Sequence, residues 1–196
     1  MNLIEELKNY CDINNPVGAL MLSGEWGCGK TYLIKTKFIP SVKDTYVFVC
    51  ISLFGIDSLD KLRVEVKKKW LEKASEFDSL NGTKVSRVAD SCRRIFDTIK
   101  DRLPENWQKK GEVVSSIMDL INFMPISNRM FEKKVILVFD DLERTNISCT
   151  DLLGCINDYC ENQGFNTIIV ANEEKIKDRS DNELSYREIK EKIVQR

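Results

Sequence analysis

Gly24-Glu25-Trp26-Gly27-Cys28-Gly29-Lys30-Thr31 is the stretch on which the reading of this chain turns. It fits G-x-x-x-x-G-K-[ST], in which glycines let backbone N–H groups curl round an anion, a lysine reaches the β- and γ-phosphates and a hydroxyl holds Mg²⁺. The flanks supply the context that pattern requires. Val17-Gly18-Ala19-Leu20-Met21-Leu22 reads as a buried strand, and residues 30–38 read as a helix ended by Pro40. The expectation is a nucleoside triphosphate held by Gly24, Glu25, Trp26, Gly27, Cys28, Gly29, Lys30 and Thr31. A glycine-rich turn between strand and helix is the alternative for the same residues.

Working outward, Tyr46-Val47-Phe48-Val49-Cys50-Ile51-Ser52-Leu53 is rich in aromatic and β-branched residues and is bounded by Gly55, as a second buried strand would be. Val135-Ile136-Leu137-Val138-Phe139 and Thr167-Ile168-Ile169-Val170 are further apolar runs, ending in Asp140-Asp141 and Ala171-Asn172. Between them Thr150 or Asp151 can cap a helix with the apolar face Leu152, Leu153, Ile156, Tyr159 and Cys160, and Gly164 follows its end. Strands that are apolar on both faces and separated by helices predict a parallel sheet sandwiched by helices.

Residues 58–130 hold more helix than one crossover needs. Leu59, Leu62, Val66, Trp70 and Phe77 mark one helical pattern. Val85, Val88, Cys92, Ile95, Phe96, Ile99 and Leu103 mark a second, and Val113, Ile117, Leu120, Ile121 and Met124 a weaker third. The expectation is one domain over 1–196 with a helical insertion at about 58–130. Basic Lys61, Arg63, Lys67, Lys68, Lys69, Arg87, Arg93 and Arg94 alternate there with Asp60, Glu65, Glu72, Glu76 and Asp90, which reads as a solvated face rather than a nucleic-acid patch.

Composition narrows the chemistry further. With 30 basic and 31 acidic residues there is no global field to draw nucleic acid or an anionic membrane. The absence of histidine removes histidine-assisted catalysis, and seven cysteines without a C-x-x-C pair argue against zinc and for reduced thiols in a cytoplasmic protein. Acidic residues in Met1-Asn2-Leu3-Ile4-Glu5-Glu6-Leu7 do not make a secretory signal. The apolar-leaning stretch 113–126 contains Ser115, Ser116, Asp119 and Asn122 and falls short of the roughly 20 helical residues that span a bilayer.

A phosphate loop says binding, and a second element decides whether hydrolysis is plausible. Asp140 stands at the carboxyl end of a buried strand, where α/β sheets place ligand groups. There it would hold Mg²⁺ together with Thr31. Asp141 would polarise the attacking water, Asn172 would hydrogen-bond that water or the γ-phosphate, or sit in a turn or helix cap, and Arg144 would act in its own site, in a neighbour's, or in a salt bridge. Cys28 reads as a tolerated small side chain.

The loop, Ile51-Ser52-Leu53-Phe54-Gly55 and Asp140-Asp141-Leu142-Glu143-Arg144 together resemble the KAP family of P-loop NTPases. That family carries G-x-W-G-x-G-K-[ST] and an apolar strand ending in D-D-L-[DE]-R, so Trp26 and Arg144 sharpen the match. The resemblance covers most of residues 1–175. It implies a three-layer α/β/α sandwich of the ASCE class (AAA+/STAND-like) with sheet order 5-1-4-3-2, and Asn172 between Lys30 and Asp140 in the position called sensor 1. It implies ATP rather than GTP, and no guanine-reading N-K-x-D occurs.

Members of the family often bear paired transmembrane helices between the Walker motifs, and several bacterial ones are linked to phage exclusion. The polar helices of this chain predict no transmembrane segment. From Glu188-Ile189-Lys190-Glu191-Lys192-Ile193-Val194 to Arg196 the pattern stays helical, so the fifth strand and the C-terminal helical lid are expected to be missing. The resulting expectation is an ATPase switch read out by a protein partner or by self-assembly. A non-hydrolytic nucleotide-binding module and a small-molecule kinase are the alternatives.

Overall fold

The computed structural model describes residues 2–81, 126–130, 132–179 and 183–195. The chain divides into two compact units, one of residues 1–62 with 127–196 and one of 63–126. The second and third helical patterns of the insertion, with Arg87, Arg93, Arg94 and Asp90, lie outside the described residues.

The first unit is built on a sheet. In chain order its elements are helix α1 (Leu3–Asp12), strand β1 (Ala19–Ser23), helix α2 (Lys30–Tyr32), a π-helical stretch (Leu33–Phe38) and helix α3 (Ile39–Val42). Strand β2 (Tyr46–Ser52), helix α4 (Leu59–Asn81), and strands β3 (Arg129–Met130) and β4 (Lys133–Asp140) follow. A 3₁₀ turn (Leu142–Arg144), helix α5 (Cys149–Glu161), strand β5 (Asn166–Ala171), helices α6 (Glu173–Arg179) and α7 (Glu183–Ile193) and strand β6 (Val194–Gln195) complete it.

The strands lie in the order β2-β4-β5-β1-β6, all parallel, while the two-residue β3 runs antiparallel to β4. Leaving β3 aside, this is the 5-1-4-3-2 order. The expected absence of strand 5 is therefore corrected: Val194 and Gln195 pair with Ala19 and Leu20 on the outer edge of β1. A two-residue ladder is too short to show the period of 2 by which strands announce themselves.

Register places the two faces. Ile136, Val138, Ile168 and Val170 point toward Leu7, Tyr10 and Cys11 of α1 and Ile34, Phe38 and Val42 of the helix after the loop. Phe139, one residue out of phase with Val138, meets Tyr159 of α5 on the opposite face at a ring distance of 6.2 Å. Leu7, Ile34, Phe38, Ile136, Phe139 and Ile168 are fully buried, and each contributes about 1.5–3 kcal/mol. Leu152, Leu153, Ile156, Tyr159 and Cys160 are all buried, as their spacing predicts.

Two local expectations are corrected. Pro40 does not end the helix. The hydrogen-bond ladder switches to i−5 over 33–38, with Ile39 N–H donating to Ile34 O, and Pro40 falls in the first turn of α3, where its missing N–H costs little. The cap of α5 is Ser148, whose Oγ accepts from Asp151 N–H at 3.1 Å, rather than Thr150 or Asp151.

Sequence reasoning assigned no element to residues 3–12, and α1 there is tied to the sheet by polar side chains. Asn166 donates to Tyr10 O and Ile13 O at 2.8 and 3.0 Å, and Lys134 donates to Cys11 O and Ile13 O at 2.9 and 2.8 Å. These bonds satisfy carbonyls that a helix end leaves orphaned.

In the second unit the described part is α4 from residue 63. Its lysines pair along the helix, Lys68 with Glu65 (3.3 Å), Lys69 with Glu72 (2.8 Å) and Lys73 with Glu76 (2.6 Å). This is the charge-alternating face the sequence predicts. Among the described residues no helix is long and apolar enough to cross a membrane.

Candidate nucleotide site

The site is assembled where β1 and β4 end. β1 stops at Ser23, and Gly24 N–H donates to Ala171 O at 3.3 Å, which fixes the start of the loop to β5. Gly27 and Gly29 have φ of 80° and 88°, a region that side chains with a Cβ avoid. At Gly24 a Cβ would stand 3.0 Å from Cys28 Sγ. Glycine is thus favoured at 27 and 29, and the loop packs closely on itself at Gly24.

Lys30 opens α2, and its Nζ donates to Gly24 O (2.6 Å) and Glu25 O (2.8 Å), with Cys28 Sγ at 3.8 Å. The ammonium is anchored over the loop by its own carbonyls. Thr31 follows, and its Oγ1 donates to Asp140 Oδ1 at 3.0 Å, across 109 positions of sequence. Lys35 pairs with the other oxygen of Asp140 at 3.4 Å. A hydroxyl and a carboxylate meeting at the mouth of a phosphate loop are hard-oxygen donors, and they fit Mg²⁺, which takes one or two protein ligands and keeps much of its water.

Asp141 sits beside them with φ 62° and ψ 40°, a left-handed conformation costly for a residue with a Cβ. Its carboxylate accepts from Ser52 Oγ at 3.2 Å and lies 3.7 Å from Arg144, while its N–H donates to Asp140 Oδ1 at 3.1 Å. Arg144 in turn covers the exposed ring of Phe54 at 4.3 Å. Strain of this kind persists where surrounding contacts impose it, and functional sites are where it collects.

A cavity of about 440 Å³ joins these groups. Trp26, Gly27, Gly29, Lys30, Thr31, Asp140, Asp141 and Arg144, all expected from sequence, line it together with Glu143. Gly24 and Glu25 contribute through the carbonyls that hold Lys30, and Cys28 is exposed beside it. Asn172 is buried at the end of β5, between the β1 and β4 ends, and its Oδ1 faces Lys175 N–H at 3.4 Å, which is the capping geometry.

Sequence reasoning gave no role to Glu143, Lys35 or Ser52. Glu143 accepts from Trp26 Nε1 at 2.7 Å and from Asn172 N–H at 3.0 Å. The available signal was an acid placed directly after the apolar Leu142, itself buried.

The KAP family P-loop domain matches residues 2–196. The chain belongs to the KAP family. As a P-loop NTPase domain it binds nucleotide, and the loop, the Thr31–Asp140 pair and the lined cavity are the parts of this KAP domain suited to that task. No curated protein matches the chain.

Thiols elsewhere in the KAP domain are structural in character. Burial pushes Cys11 up to about 12 and Cys160 up to about 11, so both remain protonated small hydrophobes near neutrality. Among the described residues no group of three or more acidic or cysteine side chains gathers to hold a metal. A divalent ion at Thr31 and Asp140 would therefore depend on phosphate oxygens and water for its remaining ligands.

Proposed function

We propose that this KAP domain hydrolyses ATP with Mg²⁺ and uses the turnover to drive a conformational or assembly switch read by a protein partner. The observation that supports the reading is the 3.0 Å contact of Thr31 Oγ1 with Asp140 Oδ1 beside the anchored Lys30, two oxygen groups that would hold the metal. Bound Mg²⁺ would neutralise charge on the β- and γ-phosphates.

Lys30 then supplies a point charge, and the amides of the loop supply dipoles that need no reorganisation. Asp141 is the group we assign to orienting the attacking water. Ser52 and Arg144 fix its carboxylate on the cavity side, which supports that role. Arg144 lies 3.7 Å from Asp141 of its own chain and lines its own cavity, which favours action in cis. Asn172, with its main chain held by Glu143 and its Oδ1 capping α6, would meet the water through its Nδ2. ATP is favoured over GTP by the family resemblance, and the buried thiols suit a cytoplasmic setting.

Multi-turnover phosphate release from ATP·Mg²⁺, abolished by Lys30→Ala, is the expected result. Nucleotide that raises the melting temperature while no phosphate appears would instead establish a binding-only module. Phage exclusion, carried by the family resemblance, predicts that expression of the full-length protein lowers plating efficiency and that Lys30→Ala restores it.

A further inference from the structure

Glu143 lies between the phosphate loop and the end of β5, and each of its oxygens serves a different element. Oε1 accepts the indole N–H of Trp26 at 2.7 Å, and Oε2 accepts the main-chain N–H of Asn172 at 3.0 Å. The carboxylate belongs to a residue 7% exposed, whereas Trp26 is 62% exposed. Little packing holds that indole, so the bond to a buried acceptor is what gives it a fixed place. Both residues line the cavity with Lys30, Thr31 and Asp140.

We infer that Glu143 is a positioning residue of the nucleotide site. It holds the Trp26 wall of the phosphate loop against the Asn172 end of β5, so that loop and metal carboxylate keep one geometry when phosphates bind. The inference rests on nucleotide binding at this site and not on hydrolysis. The linkage continues past the site: Asn172 caps α6, and Glu173 at the start of α6 pairs with Lys190 of α7 at 2.6 Å.

The donor pattern makes the idea sharply testable. A carboxylate accepts from both N–H groups, whereas an amide of the same shape has one oxygen and one NH₂. Glu143→Gln must therefore set its NH₂ against the N–H of either Trp26 or Asn172. Trp26→Phe removes one of those donors and lets the amide oxygen turn to Asn172. The second substitution should repair the first, which no independent contribution to stability would do.

The experiment measures the Kd for ATP·Mg²⁺ by calorimetry on the full chain, on both single variants and on the double variant, each with its melting temperature. Glu143→Gln should weaken binding about tenfold, the effect of one buried donor left without an acceptor. Trp26→Phe should weaken it about threefold, and the double variant should bind like Trp26→Phe alone. Losses that multiply in the double variant, or a Glu143→Gln protein that binds like the parent, overturn the inference.

A parent that binds no ATP·Mg²⁺ overturns the site reading itself; failure of this inference alone shows only among the variants. A second readout is the emission of Trp26, isolated in each background by subtracting the matching Trp26→Phe protein: it should differ between the parent and Glu143→Gln, and identical difference spectra also count against the proposal.

Discussion

The two ends of the parallel sheet use the same kinds of polar group to opposite effect. At the amino ends of the strands the groups close on one another. Tyr10 donates to Gly18 O and accepts from Thr167 N–H, both at 2.9 Å, while Asn166 and Lys134 reach the last carbonyls of α1. At the carboxyl ends Lys30, Thr31, Asp140, Asp141 and Arg144 face a cavity. One end spends its hydrogen bonds on the fold, and the other keeps charged groups facing a cavity. Stability and function are thereby separated along about seven residues of strand, a division expected where α/β sheets bind ligands beyond the carboxyl ends.

The separation can be broken from the ligand side first. Lys30→Ala should lower phosphate release by at least about 100-fold, the scale of removing one preorganised charge-stabilising donor. Its melting temperature should stay within about 2 °C of the parent, because the lysine bonds to carbonyls and a thiol within its own loop.

From the closed end the effects reverse. Asn166→Leu removes the Nδ2 donor from Tyr10 O and Ile13 O, which keep the Ile13 N–H and Lys134 respectively, so two hydrogen bonds are lost while each carbonyl retains a donor. The expected loss is roughly 1–3 kcal/mol, or about 2–12 °C in Tm for a chain of this size, with the Kd for ATP·Mg²⁺ unchanged. Thermal melts and calorimetry on one preparation check both halves.

How much of this contrast was legible beforehand follows from the range of the signals. Gly27, Gly29, Lys30 and Thr31 fall within five consecutive positions, and β2, β4 and β5 are apolar runs that can be read locally. The loop, the strand order implied by the family resemblance and the acids at 140–141 were therefore visible. The closed end was not, because Asn166 meets Tyr10 across 156 positions and Lys134 meets Cys11 across 123. Nothing in the Asn166 neighbourhood distinguishes a buried structural amide from a strand-initiating one. Glu143 was hidden in the same way: its partners stand 117 and 29 positions away. Pro40 misled because the π-helical shift that accommodates it has no sequence signature of its own.

A smaller test uses pH on the closed end. Burial raises Cys11 to about 12 and Cys160 to about 11 from an ordinary value of 9.0. The unfolded chain then loses these protons before the native one, so stability is full below about pH 9 and falls as pH rises toward those values. Urea midpoints measured from pH 8 to 11 should decline above about pH 9, and Cys11→Ala should flatten the decline. A midpoint constant across that range would contradict the burial of these thiols.

The central claim is that Thr31 and Asp140 together make the open end a metal–nucleotide site. Its most direct test is phosphate release titrated with Mg²⁺ in the parent and in Asp140→Asn. The account predicts a saturating Mg²⁺ dependence in the parent and, in the variant, release lowered about 100-fold with a midpoint displaced to higher Mg²⁺. Identical Mg²⁺ curves for the two proteins would contradict it.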